Sequence, residues 1–186
     1  FAAVRSVGTN VRSTVRTILN SSKYNSSGNR FVNAFKDIYT GGFIRITKRA
    51  VKTPKLYFLD TGLAAYLTRW NTPDVLKNGA MAGAFFESFV IAEVIKSYYN
   101  KGIVEPPLYF YRDKDMNEID LVIGENGTLY PLKMKKHADP QKKDMDAFDL
   151  LNKIPGTKRG PGGVICLYDR LITLKGNDRV IPINYL

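Results

Sequence analysis

A single cysteine and a single histidine among 186 residues remove several chemistries at once. No internal disulfide can form, and a His/Cys zinc site has almost no ligands to draw on. No Ser-His-Asp triad stands out. Cys166 lies in the apolar run GGVICLYD and reads as a buried strand residue rather than a reactive thiol. His137, set among lysines, reads as a solvated turn residue rather than a base. A reducing cytoplasm fits this cysteine usage. No apolar run approaches the ~20 residues of a membrane span, and a composition 44% hydrophobic and 24% charged is that of a soluble globular protein. The chain has no G-x-x-x-x-G-K-[ST] and does not itself bind ATP through a P-loop. There is no internal repeat or low-complexity tract. Phe1 follows neither an initiator methionine nor a charged-then-apolar leader, which leads us to expect a piece of a longer protein, with more chain before Phe1.

Acids are scarce at the start. Residues 1–55 hold 11 Lys and Arg against one acid, Asp37, so nearly all of the +11 net charge lies there. Such asymmetry marks a boundary and suits a polyanion-facing segment, although a basic face that stays solvated accounts for it equally. In NVRSTVRTILN, Val11, Val15, Ile18 and Leu19 recur at helical spacing behind a capping Asn10. In RFVNAFKDIYTGG, Phe31, Phe35, Ile38 and Tyr39 repeat the pattern before Gly41 and Gly42. The linker SSKYNSSGN is loop chemistry, and FIRITK and KLYFLD are candidate strands around a basic turn with Pro54. Two helices and a hairpin resemble the end of a winged helix. We expect a basic winged-helix-like segment over 1–59, with Arg12, Arg16, Arg30, Lys36, Arg45, Lys48, Arg49 and Lys52 contacting nucleic-acid phosphates.

Over 60–186 the pattern changes. DTGLAAYL starts a helix, and GAMAGAFFESFVIAEVIKSYYNKG is a long, largely buried one that stops at Gly102. Strands follow at LYFYR, EIDLVI and TLYPLKMKK, then a helix over DPQKKDMDAFDLLNK, a loop at GTKRGPGG, and strands at GGVICLYD, LITLK and RVIPINYL. The fold class is α/β, a mixed sheet flanked by helices. Asn126-Gly127 is a two-residue hairpin turn that pairs Glu125 with Thr128. Counting outward sets Ile123 opposite Tyr130, Leu121 opposite Leu132 and Ile119 opposite Met134, an apolar face throughout. The other face sets Asp120 opposite Lys133 and Glu118 opposite Lys135. Taken alone, that is a good cross-strand charge match.

The stretches KTPKLYFLDTGLAAYL, GAFFESFVIAEVIKSYY, LYFYRDKDMNEIDLVI and LYPLKMKKHADPQKKDMDAF resemble a domain of unknown function found carboxy-terminal to predicted AAA-type ATPases. The resemblance spans about Ile46 to Leu186. It implies a restriction-endonuclease-like fold similar to PD-(D/E)XK nucleases, whose sites take a glutamate from the first core helix, an aspartate from the second strand and an E-x-K from the third. These positions fall on Glu87, Asp120 and Lys135, but the E-x-K glutamate falls on Lys133. Oxygen ligands hold the Mg²⁺ that activates water in such sites. An ammonium about 4 Å from a divalent ion is repelled by ~8 kcal/mol at an effective dielectric of 20. The resemblance therefore implies that Lys133 takes the metal's electrostatic role beside Asp120 and Glu87, in a degenerate site made with Lys135.

The expected function is a nucleic-acid-interacting, nuclease-like accessory domain of an AAA-type ATPase, without nuclease activity, with no cofactor and no membrane partner. One alternative is an active nuclease holding Mg²⁺ on Glu87 and Asp120, with Glu118 or Glu125 replacing the missing ligand. Another is a protein-interaction module that docks on the ATPase through the aromatics of FFESFV and KSYY. Gln141 falls where some related nucleases carry a DNA-contacting glutamine, but Met145 replaces the tyrosine that accompanies it.

Overall fold

The computed structural model of the chain describes residues 35–38, 55–70, 72–113 and 115–186, leaving aside the side chains of 35–38 and Leu56. The chain divides into two compact units, Phe1–Asp37 with Leu56–Glu93, and Ile38–Lys55 with Val94–Leu186. A two-stranded sheet joins β1 (Phe35–Ile38) to β2 (Lys55–Phe58). The helix expected over RFVNAFKDIYTGG is thus corrected where it meets described residues. A short apolar run carries both periods, and pairing with the β-prone KLYF overrides the helical one. The expected helix over NVRSTVRTILN and strand at FIRITK lie outside the described residues.

In the first unit, Asp60 caps α1 (Thr61–Thr68) by accepting from Leu63 N at 2.8 Å, and Arg69 ends it in a left-handed turn at φ 59. Thr72 and Pro73 start a short helix that the sequence reading had not singled out, α2 (Pro73–Asn78). Phe58, Ala64, Ala65 and Phe85 form this unit's core, with Trp70 stacked on Phe85 at 5.6 Å. The long helix expected from GAMAGAFF onward is α3 (Ala82–Asn100). It buries Val90, Ile91 and Ile95 completely, and Gly102 turns the chain after it at φ 76.

The second unit holds a mixed sheet: β3 (Leu108–Arg112), β4 (Glu118–Glu125), β5 (Thr128–Lys135), β6 (Lys158–Arg159), β7 (Gly163–Cys166), β8 (Ile172–Lys175) and β9 (Asp178–Pro182). Its order is β3-β4-β5-β7-β9-β8, with β6 also beside β5. The pairs β3/β4, β4/β5 and β8/β9 are antiparallel, whereas β5/β7 and β7/β9 are parallel. A parallel return from β5 to β7 needs a crossover. It is supplied by a 3₁₀ helix, Lys142–Lys153, within the stretch DPQKKDMDAFDLLNK where a helix is expected. Met145, Phe148 and Leu151 from this helix are fully buried on the sheet against Ile119, Val122, Leu129 and Val164. Cys166 is buried, as expected. The short β6 replaces part of the loop read at GTKRGPGG.

The hairpin follows the expected register from Glu125↔Thr128 to Leu121↔Leu132, and Asn126 and Gly127 take φ 50 and 75 as its turn requires. Beyond Leu121 the register changes. On β3, Tyr109 faces Val122 but Tyr111 faces Ile119, so one extra β4 residue is accommodated around Asp120 and Leu121. That bulge reverses the alternation, which is why Ile119 and Val122 share one core.

Close packing continues at the edge of the crossover. A Cβ on Gly162 would stand 2.7 Å from the Pro131 carbonyl oxygen and 2.8 Å from a Phe148 ring carbon, while one on Gly83 of α3 would meet nothing within 4 Å. Gly162→Ala is expected to destabilise the protein by about 1–3 kcal/mol, and Gly83→Ala to stabilise it by up to ~1 kcal/mol. Urea unfolding midpoints measure both, and shifts of the same sign would contradict this packing.

Candidate functional site at the bulged strand

Asp120 is only 7% exposed, in the strand that bulges around it. A carboxylate so placed must find donors. Lys133 Nζ donates to its Oδ1 at 3.0 Å from β5, and the Met134 backbone N–H donates to its Oδ2 at 2.8 Å. The side chain therefore takes an N–H just past the last residues of the β4/β5 ladder. Lys133 Nζ also donates to the Glu118 carbonyl oxygen at 3.0 Å. The expected Asp120–Lys133 pair is present, with the two side chains 9% and 18% exposed.

The second expected pair is not formed. Glu118 is directly opposite Arg112 of β3, whose Nη2 reaches its two carboxylate oxygens at 2.9 and 3.0 Å, and the Lys55 ammonium pairs with it as well. Lys55 also lies 5.6 Å from the Phe110 ring centre. Lys135 instead pairs with Asp144 of the 3₁₀ helix at 3.6 Å. The bulge is the physical reason, because an odd insertion between Asp120 and Val122 hands Glu118 to the β3 side. Burial pushes the Glu118 carboxyl up, but Lys55 and Arg112 outweigh it and hold the group below its usual range. Glu125, the other substitute ligand considered, accepts from Tyr98 Oη at 2.8 Å; burial and then this bond push the phenol to about 12.

Glu87 belongs to the first unit, where it accepts from Tyr57 Oη at 2.5 Å. Asp120, Lys133 and Lys135 belong to the second. Among the described residues, no three His, Cys, Asp or Glu side chains are grouped to hold a metal ion. Of the candidate phosphate contacts, Arg12, Arg16, Arg30, Arg45, Lys48, Arg49 and Lys52 lie outside the described residues, and Lys36 lies in β1. Gln141 and His137 are exposed, whereas Met145 is fully buried. No helix among the described residues is long and apolar enough to cross a membrane.

Two buried acids escaped the sequence reading. Asp178 pairs with Arg159 Nη2 and accepts from Gly162 N at 2.7 Å. Asp113 accepts from the N–H groups of Asp115 and Asn117 at 3.0 and 2.9 Å, closing the β3–β4 turn. Burial raises the Asp113 carboxyl, but the bonds from Asn117, Tyr111 and Asp115 prevail and lower it. Only the turn-forming string DKDMN hinted at this second role.

Because the folded Glu118 carboxyl titrates below its ordinary value of 4.5, its contribution is complete above that value and is lost as pH falls through the folded one. Glu118→Gln should lower stability near neutral pH by about 1–3 kcal/mol, and its gap to the parent should close in acid. Asp113 keeps part of the acid dependence in both proteins. Urea unfolding across pH measures this, and a gap that stays constant into acid would contradict the Lys55–Glu118–Arg112 arrangement.

Uncharacterized protein Mb2031c of Mycobacterium bovis and uncharacterized protein Rv2008c of Mycobacterium tuberculosis are each 28% identical to the chain over 121 residues. The match takes in 62% of this chain and 26% of each relative, so the chain spans about a quarter of the length of these curated relatives. The family described as domain of unknown function (DUF4143) matches residues 82–186, which include Glu87 and the whole Asp120–Lys133 region. The expected membership of a domain of unknown function is borne out, and the chain belongs to the DUF4143 family.

Proposed function

We propose that the chain is a nucleic-acid-interacting, nuclease-like accessory domain of an AAA-type ATPase, without nuclease activity of its own. One observation carries the reading: the Lys133 ammonium lies 3.0 Å from the Asp120 carboxylate, where the resemblance to PD-(D/E)XK nucleases puts a metal-binding glutamate. Two features support it. Glu118, the nearest substitute ligand in sequence, is already engaged by Lys55 and Arg112. The succession of long helix, antiparallel meander, crossover and parallel strand is compatible with the restriction-endonuclease-like fold that the resemblance implies.

The ATPase context rests on the resemblance and is compatible with relatives about four times the matched length, by the 26% coverage. The winged-helix-like character of 1–59 and its phosphate contacts rest on the charge excess there, and a cytoplasmic location on cysteine usage. A docking role is the second reading. It is favoured by Phe89 and Tyr99 of α3, each an aromatic about 40% exposed (40% and 42%).

Lys133→Glu tests the site directly. It exchanges an ion pair for two facing carboxylates, which repel without metal and are relieved by Mg²⁺ or Mn²⁺. The melting temperature of the variant should fall without metal and rise with metal concentration, while the parent stays flat and cleaves neither single- nor double-stranded DNA. Metal-dependent cleavage by the parent, lost in Asp120→Ala, would establish the active nuclease instead.

The nucleic-acid role is tested by replacing Arg12, Arg16, Arg30, Lys36, Arg45, Lys48, Arg49 and Lys52 with Gln in the full chain. Affinity of the parent for mixed-sequence duplex should fall steeply with salt, and the variant should lose most of that slope, ~0.9 per phosphate contact. A flat salt dependence of the parent would favour the docking reading.

A further inference from the structure

The charges at the end of β5 fall into two groups. Lys133 and Lys135 are paired, with Asp120 and with Asp144. Lys142 and Lys143 are exposed and form no salt bridge among the described residues. Between Lys135 and Asp144 the one acid is Asp139. The connection is fixed at several points: Gln141 N donates to Asp144 Oδ2 at 2.9 Å, Lys135 reaches the same carboxylate, and the His137 carbonyl accepts from Leu167 N at 3.2 Å. The lysines therefore stand on an anchored connection between β5 and the 3₁₀ helix.

Folding gains nothing evident from this placement. Lys142 and Lys143 open the first turn of the 3₁₀ helix, where the helix dipole disfavours a cation. An external anion would relieve both that clash and their mutual repulsion. Adjacent cations on one exposed segment suit a chain of regularly spaced charges better than an isolated ion.

We propose that the exposed pair Lys142 and Lys143 contacts the phosphodiester backbone of nucleic acid. The inference rests on the nucleic-acid reading above and extends it from the first 55 residues to the DUF4143 region. Its contacts are sequence-independent, because an ammonium on a flexible stem recognises phosphate as a point charge.

The test uses the full chain, with Lys142→Gln/Lys143→Gln compared with Lys142→Arg/Lys143→Arg. Binding is measured against salt for a DNA duplex, an RNA duplex of the same sequence, and polyglutamate as a phosphate-free polyanion. The Gln pair should weaken duplex binding roughly tenfold near ~0.1 M salt and lower the logarithmic salt slope by about 2. The Arg pair should retain both, and neither variant should have a lowered melting temperature. Tighter binding of DNA or of RNA supports the proposal and identifies the source of the phosphates. A Gln pair indistinguishable from the parent overturns the proposal while leaving the nucleic-acid reading intact. Polyglutamate bound as tightly as duplex, and equally sensitive to the Gln pair, overturns it in favour of an acidic protein partner. A parent that binds neither duplex overturns the nucleic-acid reading and this inference together.

Discussion

A carboxylate buried in the middle of a sheet is the constraint around which the second unit is arranged. Asp120 cannot keep its charge out of water without donors, and β5 supplies two of them, the Lys133 ammonium and the Met134 N–H. The bulge that admits the extra residue also ends the regular β4/β5 ladder, so the side chain serves as an acceptor where the backbone partner is missing. Removing Lys133 would leave the buried Asp120 without this counter-charge, a loss of up to about 3–5 kcal/mol, although the intact pair need not add net stability. The geometry of the pair is an ammonium held 3.0 Å from a strand aspartate.

The same solution recurs at the other buried acids. Asp113 and Asp178 are 4% and 3% exposed, and each accepts at least one backbone N–H where a strand begins or ends. Asp178 adds an arginine, Arg159, which lies over the Phe148 ring at 5.8 Å. Burial and backbone donation thus make an acid structural in three places. The feature separating Asp120 from the other two is its partner, the ammonium of Lys133 on the neighbouring strand.

The strands were legible because LYFYR, EIDLVI and TLYPLKMKK alternate, and because Asn126-Gly127 dictates both turn and register. The Asp120–Lys133 contact came directly from that count. The Glu118–Lys135 pairing did not, because a bulge depends on how β3 fits against β4 and leaves no local mark in EIDLVI. Arg112 was visible as a residue but could be assigned to Glu118 only once the β3 register was known. At Phe35–Ile38 the helical spacing of Phe and Ile was real, yet four residues are too few to outweigh pairing with a neighbouring strand. The 3₁₀ winding of Lys142–Lys153 is equally non-local: the apolar positions Met145, Phe148 and Leu151 recur every three residues, a spacing that fits one face of a 3₁₀ helix and also passes for an α-helix.

A built-in ammonium differs from a bound divalent ion in what it can do for a phosphate. It supplies a single positive charge that is already spent on Asp120, it has no open coordination position for water, and it cannot lower the pKa of a bound water as a metal does. Nucleophile activation is thereby separated from phosphate attraction. The second can persist wherever cations remain uncompensated, because contact with a polyanion needs charge but no metal geometry. Among the described residues, exposed Lys142 and Lys143 form no salt bridge, whereas Lys133 and Lys135 are paired. On the proposed reading, attraction to a nucleic acid and inability to cut it would share one origin in the distribution of lysines: Lys133 and Lys135 are paired, and Lys142 and Lys143, without a salt bridge among the described residues, are exposed.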